Sequence, residues 1–375
     1  MDSQTVPPRS VASELAGLLD SPEFAELIAE LEATRWTGRP GYPIRSMIGM
    51  ALAKSLYVIP TWTRTVALAR EHTALAAAIA PDDELPSVYA CYRFTAKLRA
   101  YVDLLDACIA GVLDALKARN PDMGVNVAID GSDLPAYANG QRYLSKHGPE
   151  RERYSDPDAS WGHRSAVSTR KGGGYYGYKV HAAVDTLTGL PLAWTVETAS
   201  AAETTFALGL IDATRERGFG VRTAIMDKGY DNGPIHDGCM DRGICPITPL
   251  RETGRVKAGD ANAPTCEHGK WTFAGTDYKR QATKWRCPTG ECQPKSRWVK
   301  ADRLHPLIPR ETKRSRKLYR SRGAVEREFG RLKHEWALLP LRVRSLDRVR
   351  LHADLTILAK LGCALAKAQA VPIAA

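Results

Sequence analysis

The chain has 375 residues, 44% hydrophobic and 25% charged, the balance of a folded protein with core enough for two or three domains. A formal net charge of +11 favours an acidic partner, whether DNA, RNA or an anionic membrane surface. With no basic-then-apolar leader and no apolar run of about 18 residues, neither secretion nor a membrane span is expected. The eight cysteines of a cytoplasmic chain should then be reduced thiols, not a disulfide framework.

Residues 1–120 read as an all-α N-terminal domain. Ser21 is placed to cap a helix that begins at Pro22, and apolar residues recur at helical spacing from Ile44 to Leu56 and from Tyr89 to Leu116. Pro60 separates two periodic stretches between Met47 and Ala80, as in a helix-turn-helix. No recognition helix stands out there, however, and a plain bundle is the reading.

Strand character rises in residues 121–249. Val125–Ile129, Tyr176–Asp185 and Leu192–Val196 read as three strands, followed by a helix over Glu203–Arg217, a strand at Arg222–Met226 and another at Cys245–Thr248. The polar stretch from Asp133 to Gly174 is too long for a hairpin and reads as a DNA-facing loop or as disorder in the free protein. Asp130 and Asp227 each close an apolar β-branched run and are followed closely by a glycine. Such an aspartate is often only a turn former, and Asp133 and Asp231 follow closely as alternatives. His181 and Asp185 share one face of the second strand, positioned either to approach an acidic site or to serve strand packing.

Residues 250–309 form an insertion rich in basic and aromatic side chains. Its C-x-H pair, Cys266 and His268, and its C-x4-C pair, Cys287 and Cys292, offer four ligands to a structural zinc ion, although the spacing is not the usual C-x2-C. Trp271, Trp285 and Trp298 would serve either to stack on an unpaired base or to pack a small β-subdomain.

Residues 310–375 carry the densest charge, with 14 Lys and Arg against 5 Asp and Glu from Arg310 to Arg350. If Tyr319–Lys333 is one helix, then relative to Glu326 Arg322 falls at about −40°, Tyr319 at about +20° and Lys333 at about −20°. One narrow face thus holds a phenol, a guanidinium, a carboxylate and an ammonium. The plainer reading is a basic amphipathic helix in which Glu326 pairs with Arg322 four residues earlier.

Tyr319, Arg322, Glu326 and Lys333 together resemble the Tyr-x2-Arg-x3-Glu-x6-Lys signature of bacterial insertion-sequence transposases of the DDE type. The resemblance extends to A-I-D-G-S-D-L around Asp130, to Gly177–Ala193, to A-I-M-D-K-G-Y-D around Asp227 and to the early G-R-P-G-Y-P-I-R-S segment, covering about residues 40–365. It implies an α/β fold: an RNase H-like mixed sheet with flanking helices, preceded by the all-α domain and interrupted by the insertion between the second Asp and the Glu. It further implies that Asp130, Asp227 and Glu326 hold two Mg2+ or Mn2+ ions, while Tyr319, Arg322 and Lys333 hold DNA phosphates. The partners implied are double-stranded DNA, namely terminal inverted repeats and target DNA, bound by a homodimer that is nucleoid-associated. A metal-dependent nuclease on the same fold and a catalytically inactive transposase-derived DNA-binding protein remain the alternatives.

Overall fold

The computed structural model describes residues 10–34, 41–144, 151–164, 171–253, 256, 258–261 and 263–370. Seven helices come first: α1 (Val11–Leu19), α2 (Pro22–Ala33), α3 (Ile44–Leu56), α4 (Trp62–Glu71), α5 (Thr73–Ile79), α6 (Val88–Leu98) and α7 (Val102–Arg119). Side-chain caps start several of them, with Ser10 accepting from the Ser13 amide, Thr61 from Arg64 and Ser87 from Ala90. Ser21 does stand before α2, but its hydroxyl makes no capping bond and Pro22 alone sets the first turn. Eleven of the thirteen residues of α3 are buried, so this helix is the centre of a bundle and cannot enter a DNA groove.

A six-stranded sheet follows, built from β1 (Asn126–Pro135), β4 (Ser160–Arg164), β5 (Gly173–Asp185), β6 (Pro191–Thr198), β7 (Thr223–Ile225) and β8 (Cys245–Ile247); a separate hairpin joins β2 (Arg142–Leu144) to β3 (Arg151–Tyr154). The 13-residue β5 pairs antiparallel with β1 along one edge; on its other edge its first half meets β4 and its second half β6. β1, β7 and β8 run parallel, and the crossovers between them carry α8 (Ala207–Glu216) and α9 (Gly233–Asp241). The stretch expected as a loop therefore contains a hairpin and an edge strand. Residues 145–150 and 165–170 within it lie outside the described residues.

The insertion forms two small antiparallel sheets: β9 (Thr265–Cys266) with β10 (Gly269–Lys270), and β11 (Thr272–Asp277), β12 (Ala282–Arg286) and β13 (Ser296–Lys300). Trp271, Trp285 and Cys287 form its own core. The chain ends with α10 (Lys313–Arg320), α11 (Gly323–Glu335) and the 25-residue α12 (Leu346–Ala370). Packing of α12 against α3, α7 and β6 lets the N-terminal helices and the sheet share one apolar core from Leu15 to Leu365. A buried Glu328–Lys360 pair at 2.6 Å ties α11 to α12. No helix among the described residues is long and apolar enough to cross a membrane.

Candidate active site

Parallel pairing of β1 with β7 sets Ala128 opposite Ile225. Two residues beyond that last pair stand Asp130 and Asp227, near enough for the Asp227 charge to act on the Asp130 carboxyl. Asp130 does not close its strand, contrary to the sequence reading: β1 continues to Pro135 because β5 goes on pairing with it, Asp130 opposite Ala182 and Pro135 opposite Gly177. It stands at an end only on the β7 side. Asp227 lies two residues past β7, where its Oδ1 accepts the Gly229 amide at 2.7 Å and turns the chain away from the sheet.

The third carboxylate arrives on α11. Ala324, Val325, Glu328, Phe329 and Leu332 bury one face of this helix, which packs on β1 and β5, while Glu326 stays exposed on another face. Arg322, at the helix start, donates through Nη1 to Asp130 Oδ2 and through Nη2 to Glu326 Oε1, both at 2.7 Å. A single guanidinium thus bridges two carboxylates that are 196 positions apart (326 − 130). The plainer reading of a Glu326–Arg322 pair holds, and the same arginine also reaches Asp130.

The continuous helix expected from Tyr319 to Lys333 is interrupted. Tightened i to i−3 bonds at Ser321 and Arg322 separate α10 from α11. Tyr319 therefore belongs to the preceding helix, half-buried against a cluster that contains Ile225, Met240, Ile247 and Leu307. Lys333 lies two turns along α11 from Glu326, its Nζ donating to Ser132 Oγ at 2.8 Å and lying 3.4 Å from Asp133 Oδ1.

Burial pushes the Asp130 carboxyl up to about 6 from 3.8; Arg322 and the Gly131 amide work against that rise, and the like charges of Asp227 and Glu203 add to it. Burial also opposes the Arg322 charge, but Asp130, Glu326 and Tyr319 more than offset it and hold the guanidinium above its ordinary value. Asp130, Asp227 and Glu203 thus act on one another's charge, with Glu326 joined to them through Arg322, and hard carboxylate oxygens are the donor set that Mg2+ and Mn2+ prefer.

Two further residues join this site that sequence reasoning missed. Glu203 forms a 2.8 Å ion pair with Lys179 and lies against Gly131, where an added Cβ would come within 3.3 Å of its carboxyl carbon. Tyr230 is buried, its phenol pushed up first by burial and then by Asp130, Glu203 and Asp227. A glutamate in a turn ahead of a helix reads as an ordinary N-terminal acid, so no sequence signal marks Glu203.

The alternatives sort themselves by partner. Asp133 sits between Arg164, at 3.2 Å, and Lys333. Asp231 is buried between Arg303 and Arg310. Asp185 accepts the Gly124 and Thr188 amides and the Thr188 hydroxyl, a turn-forming role. His181 is opposite Gly131 and packs on Phe206 at 4.5 Å, and burial lowers its imidazole to about 4, so the ring is neutral. Within the insertion, Trp271 and Trp285 are core, whereas Trp298 is exposed beside Lys284.

The sequence matches the family described as Transposase DDE domain over residues 123–360, a span that contains every one of these acids. The chain belongs to that family of transposases. None of the curated proteins matches it by sequence. Among solved structures it is similar to a piggyBac transposase synaptic complex with hairpin DNA, at 11% identity and a TM-score of 0.42, over 98% of this chain and 78% of that one.

Proposed function

We propose that the protein cuts the terminal inverted repeats of an insertion sequence and joins the freed 3′-hydroxyl ends to target DNA, using Asp130, Asp227 and Glu326 to hold two Mg2+ or Mn2+ ions. The observation that carries this reading is the bridging of Asp130 and Glu326 by Arg322, with Asp227 near enough for its charge to raise the Asp130 carboxyl. Bound there, such ions would supply charge neutralisation and an aligned oxygen nucleophile for phosphodiester chemistry. Arg322 and Lys333 are the cations for phosphate: the first offers a planar fork of donors, the second a point charge beside Ser132. Tyr319 acts chiefly by supporting Arg322.

Three antiparallel strands followed by two parallel ones, with Asp130 on the central β1 and Asp227 just past its parallel neighbour β7, favour an RNase H-like catalytic domain made of residues 121–249 and 310–375. Residues 1–120 then serve DNA-end binding or dimerisation, and the insertion over 250–309 adds an exposed basic and aromatic surface. A homodimer on double-stranded DNA, associated with the nucleoid, completes the proposal.

The test uses the full chain and a supercoiled plasmid that carries the element's ends. Wild-type protein should cut and join with magnesium or manganese and fail with calcium, whose looser shell does not enforce an in-line arrangement. Asp130→Asn, Asp227→Asn and Glu326→Gln should each abolish cleavage while binding to the terminal repeat persists. Near-wild-type cleavage by one variant would exclude that residue, and robust turnover in excess chelator would end the two-metal reading. Nicks without joined products would mark a nuclease.

A further inference from the structure

We propose a second metal centre, remote in chemistry from the carboxylate site: Cys266, Cys287, Cys292 and His268 bind one structural zinc ion that clamps the insertion. Cys266 ends β9 and His268 lies in the turn that leads to β10, while Cys287 follows β12 and Cys292 lies in the loop beyond it. That loop is reversed by Gly290, whose φ of +76° only glycine adopts without strain. Two separate hairpins thereby deliver three thiols to one point, where the sulfur atoms all lie within 4.8 Å of one another.

The one close sulfur–sulfur distance is of the size that a tetrahedral thiolate-bound ion requires. Four ligands at about 2.3 Å around a tetrahedral ion leave sulfurs about 3.8 Å apart. Cys266 Sγ and Cys287 Sγ are 3.9 Å apart. A disulfide would need about 2.05 Å and would leave the third thiol over, and all eight cysteines of the chain are free. Simple core packing fits poorly as well, because Cys266 and Cys292 are only half-buried. The core they border is small, Trp271, Trp285 and Cys287 with Ala263 and Val299 packed against it, and a subdomain of that size gains from a staple.

His268 supplies the fourth position. Its Nδ1 lies 3.4 Å from the carboxylate of Glu291, the neighbour of Cys292; neither ring nitrogen is within 4.8 Å of all three sulfurs, so the turn that carries it closes toward them on binding. A carboxylate on Nδ1 fixes the tautomer that leaves Nε2 free for a metal. Nε2 now faces Glu267 at 3.3 Å, and that side chain is 82% exposed and able to give way. On binding, each of the three thiols releases a proton to solvent and its thiolate forms a bond to zinc, whose oxidation state does not change. The clamp would fix the sheet that presents Trp298 and Lys284 to solvent.

The experiment measures metal, not cleavage, so its failure is separable from failure of the transposase reading. Full-length protein from zinc-supplemented culture should carry one zinc per chain by elemental analysis. Loaded with cobalt instead, it should show the visible bands of a tetrahedral ion together with thiolate-to-cobalt charge transfer. Cys266→Ser, Cys287→Ser and Cys292→Ser should each lose the metal, whereas Cys239→Ser, buried elsewhere, should keep it. Because a misfolded variant would lose metal too, His268→Cys is decisive: it should retain one cobalt and raise the charge-transfer intensity by about a third, from three thiolates to four. Metal well below one per chain in the wild type, wild-type loading in any of the three serine variants, or unchanged intensity in His268→Cys would each overturn the proposal.

Discussion

The side chain of Asp231 is 1% exposed and meets Arg303 at 2.6 Å and Arg310 at 3.2 Å, with the Arg251 amide at 2.7 Å as a further donor. Asp227, four residues earlier, accepts one hydrogen bond among the described residues, from the amide of Gly229. Asp130 resembles Asp227 more than Asp231, since each of its oxygens meets one donor, Gly131 N–H or Arg322. Two kinds of carboxylate therefore stand within a few residues of each other. One is saturated by protein donors and ties both ends of the insertion to the body of the fold; the other has lone pairs that meet no donor among the described residues. Sequence spacing cannot separate these cases, because both aspartates sit in the same D-K-G-Y-D motif. The donors that distinguish them come from Arg303 and Arg310, more than 70 positions away.

The comparison breaks most visibly if the two aspartates are exchanged in role. Asp231→Asn leaves two half-buried guanidiniums without their counter-charge, and loss of one partner from such a pair typically costs about 3–5 kcal/mol. The urea midpoint should fall accordingly with little change in slope. Asp227→Asn should leave that midpoint near the wild-type value while cleavage disappears. Unfolding curves and plasmid cleavage on the same two preparations decide it. A destabilised Asp227 variant, or a stable Asp231 variant without activity, would reverse the assignment.

How much of this was legible in the sequence depends on the range of the interaction. The strands at Tyr176–Asp185 and Leu192–Val196 were visible because β-branched and aromatic runs end at turn residues, and β5 and β6 cover both. The edge strand Ser160–Arg164 was not, because S-W-G-H-R has no apolar alternation and is held only by pairing with β5. The stripe from Tyr319 to Lys333 was half legible. Arg322, Glu326 and Lys333 all lie on or at the start of α11, but the break at Ser321–Arg322 has no glycine or proline before Gly323 to announce it. Glu203 was invisible, as only the fold brings it against Gly131.

A smaller effect sharpens the contrast on the cationic side. Arg322 and Lys333 face the acids and β1, whereas Arg327 is exposed off that face. If the first two bind phosphate, Arg322→Ala and Lys333→Ala should each make the slope of log affinity against log salt shallower by roughly 0.9 on duplex DNA. Arg327→Ala should change it less. Binding of a fluorescent terminal-repeat duplex over a salt series reads all three slopes. Equal changes would reduce the helix to bulk charge and withdraw Arg322 and Lys333 from the site.

The smallest expected effect concerns a carboxylate that meets no cation at hydrogen-bonding distance among the described residues. Asp354 on α12 accepts the Trp194 indole N–H at 2.7 Å. Burial pushes its carboxyl up to about 6 from 3.8, opposed by that hydrogen bond and by the more distant charges of Arg217 and Arg350. The sign follows from which state holds the proton: between about 3.8 and about 6 the folded chain keeps a proton that the unfolded chain has given up. Asp354 therefore favours folding most below about 3.8, and that contribution is lost as pH rises through about 6. Asp354→Asn cannot ionise, so its stability relative to wild type should climb across the same window, as read by urea midpoints for both proteins at matched ionic strength. A constant difference between the two proteins over that range would mean that Asp354 titrates at its ordinary value and that burial beside Trp194 leaves its charge well solvated.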